Sequence, residues 1–396
     1  MFRLIYFEWR KTYTNCALVF TFLIFLSINI FNIAYQNQQK SYFADSKEWR
    51  SAYWELYPTF SGVITAEKAE SLMALYRPLA ESVSDLTFNT AQDKNSLTGI
   101  NQYSDYLLLD RFYVTPMQYF VGYGNYATSI SQKALENFKY YSSTDNSYEA
   151  KKSLQIYTLF SDRRISSFAY TEPFEHLTSY TFSSVLILCI CLLGTSNLFS
   201  QEHECHMFSL IKTTKYGNRL SIHAKLITSL FFSIFVSVCF SICDLVAFNI
   251  IYGNFDGASL PLYALKSFST TSFSGYLYQY LLIQIFSKII ALIPFTFFIS
   301  FLSALSKTTF FPFLISASAF SISLLFAQEN QYSAISWVKV INPASLLRCK
   351  ELYFSTSFVN IFNEPILIGS ASIIWCIILG LILYFLTYII CRKRNL

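Results

Sequence analysis

Six stretches of this chain approach the roughly 20 apolar residues that a helix needs to cross a hydrocarbon layer about 30 Å thick. They cover residues 14–35, 180–200, 226–251, 276–302, 309–327 and 365–390. Inside such a layer every backbone N–H and C=O must be satisfied within its own segment, which leaves helices as the spanning form for runs of this length. The pattern predicts an all-α integral membrane protein with six transmembrane helices. Composition agrees: 53% of the 396 residues are apolar and only 13% are charged, about half the soluble norm of roughly 25%. With 11 Gly and 9 Pro, the chain is neither collagen-like nor a Gly- or Pro-rich disordered protein.

The first apolar run is too long for the hydrophobic region of a cleavable signal peptide, and no small-x-small cleavage site follows it. It reads as a membrane helix. Basic residues then orient the spans. One side carries Arg3, Arg10, Lys11, Lys212, Lys215, Arg219, Lys225, Lys307, Arg392, Lys393 and Arg394, against the acids Glu8, Glu202 and Glu204. The short loops of the other side hold only Lys266, Lys339, Arg348 and Lys350. Both termini are therefore expected in the cytoplasm, with a short basic tail at 391–396.

This orientation places residues 36–175 outside. That segment contains 16 Asp and Glu against 13 Lys and Arg, and its apolar residues recur at helical spacing in 66–86, 119–141 and 153–168. It is expected to be a mainly helical extracytoplasmic domain. None of the nine cysteines lies in it, so its own core must hold it together, as suits a bacterial surface that does without disulfides. Residues 1–13 place Phe2, Ile5 and Trp9 on one helical face, the pattern of an interfacial helix on the cytoplasmic leaflet.

Chemistry-bearing residues are few. No G-x-x-x-x-G-K-[ST] phosphate loop, G-x-S-x-G elbow or H-E-x-x-H motif is present, so nothing marks a catalytic centre, and any ATP and magnesium would sit on a partner. His203 and His206, with Cys205 or His223, have the spacing of a soft metal site, but a polar helix end leaving the membrane is the plainer reading, and no metal is expected. Asp244 and Lys288 are ionisable groups inside apolar runs, costly in lipid unless paired or lining a pathway. Asn29 and Asn32 have the spacing to hydrogen-bond a neighbouring helix.

Residues 183–232 read SSVLILCICLLGTSNLFSQEHECHMFSLIKTTKYGNRLSIHAKLITSLFF. An apolar span, an acidic E-x-E, a short amphipathic segment, hydroxyl residues, then Gly, Arg and Lys leading into another span: this resembles the type-2 permease subunits of bacterial ABC exporters. The chain departs from that family's pattern at His206, where Gly is commoner, and in the spacing of Gly217 and Arg219. The resemblance implies a coupling loop at 201–225, with Glu202, Glu204, Phe208, Ile211, Lys212, Lys215, Gly217 and Arg219 facing an ABC ATPase subunit. It also implies a second permease subunit, identical or a sister, in the cytoplasmic membrane, and alternating access as the mechanism. No nucleic acid is expected. The cargo class stays open among amphipathic peptides, drugs and lipid-like molecules. The rival class is a multispanning sensor or receptor whose outer domain binds a ligand.

Overall fold

The computed structural model describes residues 1–43, 47–88, 90–91, 93, 96–205, 207, 219–327 and 336–393. Helix α1 (Phe2–Tyr13) is followed by α2 (Cys16–Lys40), whose N-terminus is capped by the Asn15 side chain accepting from the Ala17 N–H at 3.2 Å. An insert follows, made of α3 (Lys47–Phe60), α4 (Ala66–Ser84), α5 (Gln102–Leu109), a π-helical turn at Asp110–Val114, α6 (Thr115–Ser143) and α7 (Ser147–Phe160). Side-chain caps from Thr65, Asn101 and Asn146 start α4, α5 and α7 by satisfying otherwise orphaned N–H groups.

Next come α8 (Glu172–Ser179), α9 (Phe182–Thr195), α10 (Ser200–Glu204), α11 (Arg219–Tyr252), α12 (Leu277–Leu305) and α13 (Phe310–Phe326). Three short helices, α14 (Ser336–Ile341), α15 (Ala344–Leu347) and α16 (Lys350–Tyr353), lead to a β-hairpin and the final helix α17 (Ile368–Lys393).

Among the described residues five helical runs are long and apolar enough to cross a membrane: α2, the run Glu172–Glu204 built around α9, then α11, α12 and α17. The sequence suggests a sixth at 309–327. There α13 has 17 residues, about 26 Å of helix, short of a hydrocarbon core of about 30 Å. The last apolar run also differs at its start, because residues 365–367 belong to a strand and helix begins only at Ile368.

Among the described residues two small antiparallel sheets interrupt the all-helical expectation. Strands β1 (Gly62–Val63) and β2 (Ser167–Phe168) pair Gly62 with Phe168, so the helix expected over 153–168 ends at Phe160. Strands β3 (Phe358–Ile361) and β4 (Glu364–Leu367) form a hairpin with Ile361 opposite Glu364. Its two loop residues, Phe362 and Asn363, both have positive φ, as a type I′ turn demands.

The insert has an aromatic core. Tyr53, Phe60, Tyr113, Phe120, Tyr123 and Phe168 are buried together, with Tyr53 and Tyr113 at 5.0 Å between ring centroids. Such ring pairs add about 0.5–1.5 kcal/mol each beyond the area they bury. None of the nine cysteines forms a disulfide, so this core carries the load. It extends past the insert, because Leu260, Leu262, Leu265 and Phe268, from the turns between α11 and α12, are buried in the same cluster. Arg163 fastens that junction: its guanidinium lies 4.1 Å from the Phe160 ring centroid and donates to the Thr271 carbonyl at 2.9 Å.

A second core lies among the spans, where Leu186, Ile187, Ile190, Phe232, Val236, Phe240, Leu292 and Ile299 are buried together. Helix α12 packs chiefly against α17 and α11. Small residues permit the approach: Ser229, Ser233, Ser237 and Ser241 form a buried stripe down α11, and Ser233 meets Thr296 of α12 at 2.7 Å.

Candidate functional site

The four intramembrane polar candidates do not act alone. Asp244 of α11 and Lys288 of α12 lie 3.4 Å apart, both buried. The second carboxylate oxygen of Asp244 accepts from the Asn29 side-chain amide of α2 at 2.7 Å. The amide oxygen of Asn29 in turn accepts from the Tyr180 hydroxyl at 2.8 Å, and the same hydroxyl lies 3.4 Å from the Asn32 side-chain oxygen. Lys288 also donates to the Ser183 hydroxyl, at 3.2 Å, at the start of α9. One network thus ties α2, α9, α11 and α12, and each charge has an opposite charge plus a neutral partner.

That arrangement answers the cost of ionisable groups in a span. An uncompensated ion there costs several kcal/mol, whereas a paired and hydrogen-bonded one is tolerated and fixes how the helices meet. Helix order and rotation are selected because any register slip separates Asp244 from both partners. Chemically the cluster is a lock between four helices.

At one end of the spans lies a second charged cluster. Glu202 of α10 accepts from Lys11 of α1 at 2.8 Å and pairs with Lys225 of α11. Glu202 and Lys225 are buried, whereas Lys11 keeps 39% of its side chain exposed. Lys225 also faces the Phe199 ring at 5.1 Å. Glu8 is buried beside them, and burial pushes its carboxyl above the ordinary carboxylate range against the pull of Lys225 and Lys11. Aromatic packing reinforces the joint, with Tyr13 stacked on Phe232 at 4.1 Å and Trp9 at 6.2 Å from the same ring. Glu204 is used differently: it accepts from the Thr309 N–H at 3.1 Å at the start of α13.

Of the residues expected to face an ATPase, Glu202 is therefore turned inward and Glu204 caps a neighbouring helix, while Arg219 is exposed at the start of α11. Phe208, Ile211, Lys212, Lys215 and Gly217 lie outside the described residues.

The opposite end of the spans has its own knot. Glu172 of α8, fully buried, accepts from the Tyr42 N–H at 2.7 Å and from the Tyr170 hydroxyl. The Tyr170 hydroxyl also reaches the carbonyl of Tyr252, the last residue of α11, at 3.3 Å. Tyr42 donates its hydroxyl to Glu175 at 2.6 Å. The ends of α2 and α11 and the start of α8 are joined here directly beneath the insert core.

Sequence reading singled out Asn29, Asp244 and Lys288 but missed Tyr180 and Ser183. Their only advance signal was position, since they open the second apolar run at the end where the first one closes. His223 is turned onto α17, with the Tyr388 ring at 4.7 Å and the Tyr384 hydroxyl at 2.5 Å from its Nδ1. His206 lies outside the described residues, and among the described residues no three His, Cys, Asp or Glu side chains converge as metal ligands would. No family model, curated protein or solved structure matches this chain.

Proposed function

We propose that this chain is the membrane-spanning permease subunit of an ATP-driven exporter of the ABC-2 type. It would work in a bacterial cytoplasmic membrane with a separate ATPase subunit and a second permease subunit. The observation that supports this reading most is the clamp of Glu202 with Lys11 and Lys225. It makes the interfacial helix α1, the short helix α10 and the root of α11 one mechanical unit on either side of segment 206–218. A push delivered to that segment would reach three elements together, and α11 would carry it into the Asp244–Lys288 lock. In this reading α13 is a sixth crossing, both termini are cytoplasmic, and the insert lies outside. ATP and magnesium belong to the partner, and the cargo is an amphipathic peptide, drug or lipid-like molecule.

The test is purification from native membranes, with a partner subunit carrying a phosphate loop expected to accompany the chain. Deleting residues 207–215 should leave that ATPase active but uncoupled from transport. Unchanged cargo-stimulated ATP hydrolysis in the deletion would overturn the assignment. A second reading, a membrane sensor, draws support from the joint at Glu172, where the insert meets the ends of α2 and α11. It predicts no stable ATPase partner.

A further inference from the structure

Above the Glu172 joint the insert, α8 and the turns between α11 and α12 line a partly open cavity of about 150 Å³, the size of an engineered protein cavity that takes up a single benzene ring. Rings make up much of its wall, among them Tyr42, Tyr53, Phe112, Tyr119, Phe168 and Tyr170, and its lining includes Arg111 and Lys266. Both cations are exposed, and among the described residues neither forms an ion pair. The acid in the lining, Glu175, is engaged by the Tyr42 hydroxyl. Among the lining side chains two exposed cations stand against one carboxylate, and the buried Glu172 carboxylate behind the wall is taken up by the Tyr42 N–H and the Tyr170 hydroxyl.

The wall holding Arg111 and Phe112 is the π-helical turn Asp110–Val114, held by the Tyr76 hydroxyl donating to Asp110 at 2.8 Å. Such turns give up regular helical hydrogen bonding and recur at functional sites because they re-aim side chains. Here the turn brings a guanidinium and a ring to one opening, and Lys266 arrives from the separate turns between α11 and α12.

We propose that this cavity is a binding site for a planar ring bearing an anionic group, the ring filling the aromatic chamber and the anion held between Arg111 and Lys266. A free aromatic acid and the C-terminal aromatic residue of a peptide share that chemistry. The site touches the end of α2 through Tyr42, the start of α8 through Glu175, and the segment leading into α12 through Lys266. An occupant therefore bridges the elements that connect three spans. The assignment is independent of the exporter reading, because binding to the purified chain needs no ATPase.

The experiment is calorimetric titration of the full-length chain in detergent micelles with 4-hydroxybenzoate, N-acetylphenylalanine, a short peptide ending in phenylalanine, and the C-terminal amide of that peptide. At least one acid should bind, the amide about tenfold or more weakly, as loss of a charge-assisted contact requires. Binding of the small acids points to a free metabolite-like ligand. Binding of the peptide alone points to a chain terminus, and both results sustain the site. Raised salt should weaken binding to the wild-type chain, and Arg111→Gln with Lys266→Gln should weaken it about tenfold or more at an unchanged melting temperature. Equal affinity for acid and amide, no binding by any probe, or full affinity in the double variant would overturn the proposal.

Discussion

Replacing Lys288 by Met leaves the Asp244 carboxylate buried with only the Asn29 amide beside it. At the observed separation of 3.4 Å, two unit charges in an effective dielectric of about 20 attract by about 5 kcal/mol. Breaking one partner of a buried pair costs about 3–5 kcal/mol in practice, because the survivor stays desolvated. Lys288→Met and Asp244→Asn should each lose an amount of that order. The double variant Asp244→Asn, Lys288→Met should return to within about 1–2 kcal/mol of the wild-type protein, because neutral replacement of both partners is nearly free. The chain supplies its own reporter, since Cys191, Cys349 and Cys376 are buried and unpaired. A thiol-reactive fluorophore therefore reads unfolding in micelles as these thiols emerge. Single variants that unfold with the wild-type protein, or a double variant that loses the sum of both, would show that the lock contributes nothing to how the helices meet.

Three further expectations concern the ends of the spans. Glu202→Gln should destabilise by about 3 kcal/mol or more through the stranded Lys225, with Lys11, partly exposed, adding less than about 1 kcal/mol; adding Lys225→Met should recover most of the loss in the same thiol assay. Tyr170→Phe removes one hydrogen bond to the buried Glu172 carboxylate and should cost about 1–3 kcal/mol, read as a lower unfolding midpoint. Glu8 titrates above an ordinary carboxylate, so the folded state holds its proton more tightly than the unfolded state; its stabilising share is complete below the unfolded value and is lost as pH rises through the folded one. Glu8→Gln should accordingly raise the melting temperature at neutral pH and flatten its decline with pH, and an unchanged pH profile would contradict the burial argument.

Five of the six expected spans were legible because apolar runs near 20 residues admit few other structures, and Asp244 and Lys288 stood out because charge in such a run is conspicuous. Their partners were not legible. Whether Tyr180 meets Asn29 depends on the rotation of two helices about their axes, which tertiary packing sets and hydropathy does not record. The insert's helices followed from the spacing of residues such as Leu72, Met73 and Tyr76. The turns between α11 and α12 that complete its core through Leu262, Leu265 and Phe268 have no period to detect, so that segment read as a plain loop. The same holds for the aromatic cavity, whose lining comes from five separate stretches of chain. The partners of Glu202 were not legible for a different reason: Lys11 and Lys225 come to it from distant parts of the sequence, and no local pattern records their approach.

Helix α11 runs 34 residues without a glycine or proline, so it has no built-in hinge. Lys225 anchors it near one end, Asp244 in its interior and Tyr252 at the other. From Lys225 to Tyr252 the rise is about 40 Å, close to a bilayer measured across its headgroups. The protein therefore contains a rod of fixed length with both ends pinned to polar partners. A thinner bilayer would be met by tilt of this rod and a thicker one by local thinning of the bilayer around it, at a cost of fractions of a kcal/mol per Å, and tilt loads all three attachments together. Lipid chain length thereby becomes a variable to which the Lys225, Asp244 and Tyr252 contacts respond in concert.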